Sequence, residues 1–342
     1  MRMSLRSAAA SALLALWAPM LAAPSFATAP APAAAASCDR SCLQGLLDTY
    51  LQALAARDPG RLPLTADAEF TENGQHLLPG EGLWKTASAI GTFRMQVADP
   101  AAGRIAFLGS IREDGIPAML AAELVVRDRR IAGIETLVQR SDKSAQGFEK
   151  IGWNWSTEVP AADRLAPRQL VRIANMYFSG MQQNDGRGDY PFADDCNRIE
   201  NGTFTTNVPA PAGQPRVPAA GATRYSAQWS CLEQFRSGLL HFVTRIRDRR
   251  FVAADPEHGV VFAFAFFDHA AGDTRTFSTP DGRTVTAGPR QPWTWEIAEA
   301  FQIERGRIHQ IQAIMERVPY GMNSGWSTWE QGRSDRARYP GP

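Results

Sequence analysis

The stretch EFTENGQ, residues 69–75, has a counterpart 128 positions on, in NRIENGTFT at residues 197–205. Working outward from these two Glu-Asn-Gly tripeptides, other pairs fall in the same order. Tyr50 of LLDTYLQAL matches Tyr177 of IANMYFSGM at an offset of 127, and Asp99 of VADPAAG matches Asp255 of AADPEHG at 156. Ile131 of DRRIAGIETLV matches Ile308 of RGRIHQIQAIM at 177. Anchors that keep their order while the offset only grows mark an internal repeat. The second copy therefore carries two insertions, of 28 and 21 residues, in stretches rich in Pro, Gly and Ala: NVPAPAGQPRVPAAGAT and GDTRTFSTPDGRTVTAGPRQPW.

Each copy reads as helix first and strands after. Leu43, Leu46, Leu47, Tyr50, Leu51 and Leu54 fall on one helical stripe. A short strand carrying Glu-Asn-Gly follows. The next segments, GEGLWKTASAIG in copy one and SCLEQFRSGLLHFVTRIRD in copy two, read as a second helix. Four strands close copy one (FRMQVAD, RIAFLGSI, AMLAAELVV, IAGIETLVQ), and four close copy two (RRFVAAD, GVVFAFAFFDH, TWEIAEAFQIE, RIHQIQAIMER). The expected class is α+β: two tandem units, each with helices packed on a curved, mostly antiparallel sheet. The expected boundaries are a first domain over 38–140, a linker over 141–164, a second domain over 165–320 and a tail over 321–342.

This order, with a Tyr on the first helix and an acid on the first strand, resembles the nuclear transport factor 2-like cone, also called SnoaL-like or ketosteroid-isomerase-like. The resemblance covers about residues 38–140 and 165–320. Several phrases (CDRSCL, TENG, GEGLW, CNRIENG, RDRRF, FFDH and VPYGMNSGW) also resemble an uncharacterised exported family of fungi and bacteria, a domain of unknown function. The cone resemblance implies an apolar purse in which the strand acid moves a proton and the helix Tyr stabilises an oxyanion. That assigns Glu200 and Tyr177 in copy two and Glu72 and Tyr50 in copy one. The family's second acidic oxyanion donor is not located by the sequence. The same tripeptide is also what a strand end running into a left-handed turn requires.

More polar groups gather in copy two, which is where the site is expected. His269 at the end of a strand is a candidate acid–base group. Arg198, Asn201, Asp268, Trp293 and Tyr320 are candidate ligand contacts, with the Phe262, Phe264 and Phe266 side of one strand lining the pocket. The tail YGMNSGW is read either as a cap over a cone mouth or as interdomain packing. No spacing of His or Cys suits a metal, and no glycine-rich loop suits a nucleotide, so no cofactor and no metal are expected.

The formal net charge of +1 argues against a nucleic-acid partner. The basic run Arg245, Arg247, Arg249 and Arg250 reads as a solvated helix end. Residues 1–27 read as an export signal and residues 28–37 as a Pro/Ala tether. No later stretch suits a membrane span. The chain is thus expected to be secreted or periplasmic, with disulfides Cys38–Cys42 and Cys196–Cys231. Its expected partner is a small molecule, with a homodimer also open. The function expected is a cofactor-free acid–base isomerase or dehydratase acting on a small, partly apolar metabolite; the alternative is a binding protein without catalysis.

Overall fold

The computed structural model describes residues 37–342, so the expected signal and nearly all of the expected tether lie outside the described residues. Helix α1 (Arg40–Ala55) begins at Asp39, whose carboxylate accepts from the backbone N–H of Cys42 at 2.9 Å, satisfying one free donor of the first turn. Its apolar stripe, Leu43, Leu47, Tyr50, Leu51 and Leu54, is buried. Strands β1 (Leu64–Glu72), β2 (Gln75–His76), β3 (Ala87–Asp99), β4 (Arg104–Glu113), β5 (Ile116–Arg127) and β6 (Arg130–Gln139) form a six-stranded sheet in the order β2-β1-β6-β5-β4-β3. Only β1 and β6 run parallel.

Helix α2 (Asp142–Ile151) leads to α3 (Pro167–Met181) and a second sheet. That sheet comprises β7 (Phe192–Glu200), β8 (Thr203–Phe204), then after α4 (Cys231–Arg236) β9 (Arg245–Asp255) and β10 (Val260–His269). A hairpin of β11 (Thr276–Ser278) and β12 (Thr284–Thr286) precedes β13 (Trp293–Glu304) and β14 (Arg307–Val318), and α5 (Trp329–Gly332) lies in the tail. The second sheet has the order β8-β7-β14-β13-β10-β9, with β7 and β14 parallel. The two sheets share one strand order, and the protein is α+β with two six-stranded mixed sheets. The described residues belong to one compact unit.

Four layers result. Helix α1 covers one face of the first sheet, in a core with Phe70, Phe107 and Ile134. Helix α3 covers one face of the second, in a core with Phe178, Phe235, Phe251 and Phe301. The remaining faces meet each other in a shared layer that includes Met95, Leu108, Leu137, Phe262, Phe264 and Ile314. Both disulfides form, Cys38–Cys42 and Cys196–Cys231, the latter tying β7 to α4.

The structure departs from the sequence reading in five places. The second helix of copy one is a single 3-10 turn, Gly82–Lys85, and the rest of that stretch is the start of β3. The second helix of copy two ends at Arg236, because Gly238 takes the left-handed φ of +70° and TRIRDRR continues as β9. The four arginines on β9 are accordingly not a solvated helix end. Arg247 and Arg249 are buried, and Arg250 is committed to Glu135 and cannot meet phosphates. The linker over 141–164 holds α2, whose Phe148 is buried in the shared layer. Phe262 and Phe264 face that same layer, and Phe266 lies 4.8 Å beneath the Arg247 guanidinium, so this side of β10 lines no pocket.

Candidate functional site

The two Glu-Asn-Gly turns have the same backbone. Asn73 and Asn201 sit at φ 48° and 47°, with Gly74 and Gly202 at 72° and 73°. Each Asn side chain replaces a strand residue. Asn73 accepts from Val138 N–H at 2.7 Å and donates to Val138 O at 3.1 Å. Asn201 does the same with Met315, at 2.8 and 3.1 Å. Asn201 is therefore held by the backbone of β14 rather than presented to a ligand. The two glycines are sites of close approach. A Cβ on Gly74 would lie 2.6 Å from the Met322 methyl and 2.8 Å from Asn323 O, both in the tail. A Cβ on Gly202 would collide with Ser144 O on α2.

In the first copy Glu72 accepts from the backbone N–H of Leu83 at 2.6 Å and pairs with Arg140 at 2.8 Å. Tyr50 is buried edge-on to Trp84, with ring centroids 5.7 Å apart. Cross-strand pairing places Glu72 beside Thr136, then Ala122, then Phe107. The space along that row is filled by the Phe107 ring, and the Glu72 carboxylate is anchored to backbone.

The second copy differs at each of these positions. The corresponding row runs Glu200, Ala313, Glu299, Ala263, so two carboxyls share one sheet face with small alanines between and beside them. Phe70 is replaced, at the same offset of 128, by Arg198, whose side chain is only 2 % exposed. Its guanidinium donates to Gln234 Oε1 at 2.6 Å, to Thr205 Oγ1 at 2.9 Å and to the Tyr177 hydroxyl at 3.5 Å, and pairs with Glu200 at 3.3 Å. The structure thus brings together Tyr177, Arg198 and Glu200, three of the residues singled out in the sequence.

Glu299 on β13 joins them, and the sequence analysis missed it. It is fully buried, and its Oε2 has no hydrogen-bond partner among the described residues. Burial raises its pKa to about 8, and the nearby Glu200 charge adds to this, against the Arg198 charge and a hydrogen bond from Tyr177. Glu299 therefore carries its proton at neutral pH. Tyr177 is pushed well above the usual phenol range by burial and by Glu299. Arg198 is raised: burial is the largest single influence and acts against its charge, but Glu200, Tyr177 and Tyr225 together outweigh it.

His269 lies apart from Asp268, because successive residues of a strand face opposite ways. Asp268 is buried and accepts from Arg245 at 2.7 Å, Arg247 at 2.9 Å and Thr294 at 2.7 Å, which leaves it an internal anchor rather than a ligand contact. His269 stacks on Trp293 with ring centroids 3.8 Å apart and planes 10° from parallel, and its Nδ1 donates to Phe267 O at 3.0 Å. Burial is the main cause that pushes its pKa down to about 4, so at pH 7 the ring is neutral and is not a proton donor of the imidazolium kind. Both rings border a cleft of 640 Å³. Tyr320 is 45 % exposed in the tail. The tail itself crosses to the first copy: Trp326 donates to Thr71 Oγ1 at 2.7 Å and Tyr339 to Asp99 at 2.6 Å.

Among the described residues, Asp255, Glu257 and His258 bring possible metal-ligand atoms within 4.8 Å of one another. The Arg40 guanidinium already supplies the positive charge there, pairing with Asp255 at 2.7 Å and Glu257 at 2.8 Å.

No curated protein matches the chain. Among solved structures, a de novo designed protein with a curved β-sheet aligns at 13% identity, over 44% of this chain and 88% of its own, with a TM-score of 0.22, a likeness that carries no argument. Residues 163–315, which hold Tyr177, Arg198, Glu200 and Glu299, match the model of a domain of unknown function, DUF8021.

Proposed function

We propose that the chain is an exported pair of fused nuclear transport factor 2-like cones, over 38–140 and 165–320, whose second cone performs cofactor-free acid–base chemistry on a small, partly apolar metabolite. The observation that carries this reading is a buried carboxyl without a partner on one oxygen, Glu299, on the same sheet face as a carboxyl ion-paired to arginine, Glu200. Glu299 is protonated and has a free oxygen, while Glu200 is ion-paired to Arg198. A protonated acid beside an acid held by an arginine offers a proton donor and a base on one face. In this reading Glu200 takes a proton from the carbon beside a carbonyl. Tyr177 and the protonated Glu299 stabilise the developing enolate oxygen, and the proton returns to another carbon or a hydroxyl leaves as water. Arg198, tied to Gln234 and Thr205, fixes Glu200. Glu299 takes the place of the second acidic donor that the sequence left open. The two disulfides suit an oxidising compartment, and no helix among the described residues is long and apolar enough to cross a membrane.

The test is mass spectrometry of a mixed metabolite extract incubated with the wild type, Glu200→Gln and Glu299→Gln side by side. A species should be converted by the wild type, with each variant slower by about 100-fold or more. Equal conversion by wild type and Glu200→Gln would remove Glu200 from the chemistry. Retention of one species unchanged by all three forms would favour the second reading, binding without catalysis. The observation behind that reading is the ring-lined cleft beside His269.

A further inference from the structure

The two insertions that distinguish the second copy from the first converge on one place. Residues 207–230 and 272–292 are joined by a small core of Trp229, Leu239, Phe277 and Val285, with Ala219, Ala222 and Ala287 packed on it. Beside this core lies the 640 Å³ cleft, a size that suits a small organic ligand. Arg224 and Tyr225 come to it from the first insertion, Arg275 and Gly288 from the second, and His269 and Trp293 from the strand ends between which the second insertion runs. The first copy has neither insertion and no such cleft wall.

The lining is of two kinds. One wall is a run of planar groups. Tyr225 stacks on Phe242 at 5.9 Å, Phe242 on His269 at 5.8 Å and His269 on Trp293 at 3.8 Å, all within 26° of parallel. The other feature is charge. Two arginines line the cleft and no acid does. Among the described residues neither Arg224 nor Arg275 has a carboxylate within 4.0 Å, whereas the buried Arg198, Arg247 and Arg250 are each paired with one. Arg275 is held by its Nε, which donates to Gly288 O at 3.3 Å, and its terminal nitrogens have no acceptor among the described residues. His269, neutral at pH 7, neither adds to nor offsets this charge.

We infer that this cleft binds a planar anion: a molecule with an aromatic or conjugated ring, which lies against the Tyr225–Phe242–His269–Trp293 wall, and a carboxylate, which meets Arg224 and Arg275. Flat rings gain from the edges of such a wall by burial and by edge-to-face contact. A guanidinium fork suits a carboxylate through paired, charge-assisted hydrogen bonds. Tyr225 lines the cleft, and its pKa is raised, chiefly by burial, with the Glu200 charge adding to this and the Arg198 charge opposing it. The inference stands on the cleft alone and does not require that cluster to be catalytic.

The experiment is calorimetric titration of the intact, oxidised chain with 2-naphthoate and with 2-naphthamide, which keeps the ring and lacks the charge. Naphthoate should bind at least tenfold more tightly than the amide. Arg224→Gln/Arg275→Gln should weaken naphthoate at least tenfold and leave the amide unchanged, while Trp293→Leu weakens both. Arg187→Gln/Arg336→Gln, which removes the same charge from exposed positions outside the cleft, should change neither. Arg224→Gln alone, an exposed side chain with no hydrogen bond among the described residues, serves if the double variant is unstable. Equal binding of both probes, undiminished naphthoate binding by the arginine variants, or no binding of either probe at millimolar concentration would overturn the inference. Naphthoate binding without turnover of any metabolite would overturn the acid–base reading and leave this one in place.

Discussion

Glu299 and Glu296 lie three residues apart on β13 and face opposite sides of the sheet, yet both are raised to about 8. Burial is the main cause for each; a second carboxylate adds to it, Glu200 in one case and Glu135 in the other. In the unfolded chain both ionise near 4.5, so between that pH and 8 the folded protein holds two protons that the unfolded chain has released. Stability should therefore fall as pH rises through this window, by about 5 kcal/mol for each group. His269 acts in the other direction. Its pKa is lowered from 6.5 to about 4, so its contribution is lost as pH falls through that interval. The decline should be steepest from pH 6.5 to 8, and Glu296→Gln/Glu299→Gln should flatten it in urea denaturation followed at several pH values. An unchanged slope in that variant would show that neither carboxyl is protonated in the fold. Such residues are hard to see in a sequence. TWEIAEAFQIE reads as a strand with three acids, and nothing in its alternation says that both faces of the strand are covered.

Element by element, more was legible. The offsets of the Glu-Asn-Gly, Asp-Pro and Ile anchors reappear as one strand order in both sheets, and the cysteine pairing follows from the expected oxidising compartment. The faces of β10 were not legible. Phe262, Phe264 and Phe266 alternate with Ala263 and Ala265, and the bulky side suggested a pocket. The sheet instead turns its bulk to the other sheet and its alanines to the core under α3, with Ala263 paired to Glu299. The short extent of α4 was missed because the helical pattern runs without a break into β9, and only the left-handed Gly238 stops it. That helix has a second tether. The Cys196–Cys231 bridge closes a chain segment with a separation of 35 residues and holds Gln234, the partner of Arg198, against β7. Its loss through Cys196→Ser/Cys231→Ser should cost about 3–4 kcal/mol, against about 2 for Cys38→Ser/Cys42→Ser with its separation of 4. Chemical denaturation without reductant would read this; the reverse order would mean that the long loop is held by other contacts.

Over the whole molecule, the tail acts as a strap. Asp248 is fully buried, and three of its partners, Ser324 at 2.9 Å, Ser327 at 2.6 Å and Arg338, lie in the tail. Asp99 takes the Tyr339 hydroxyl from the same segment. Removing residues 320–342 should leave Asp248 buried with Arg250 alone, at a cost of about 5 kcal/mol or more and a fall in melting temperature of about 10 °C or more. A shift of under about 2 °C would show that the strap is incidental. The strap also has a twin. Residues just after β14 rest on Gly74 of the first turn, and residues just after β6 rest on Gly202 of the second. Each half is thus finished by the trailing segment of the other. A gene holding a single copy of this fold would have needed two chains, exchanging their ends, to complete either turn. With both copies in one chain the exchange lies within a molecule and is free of any dependence on concentration.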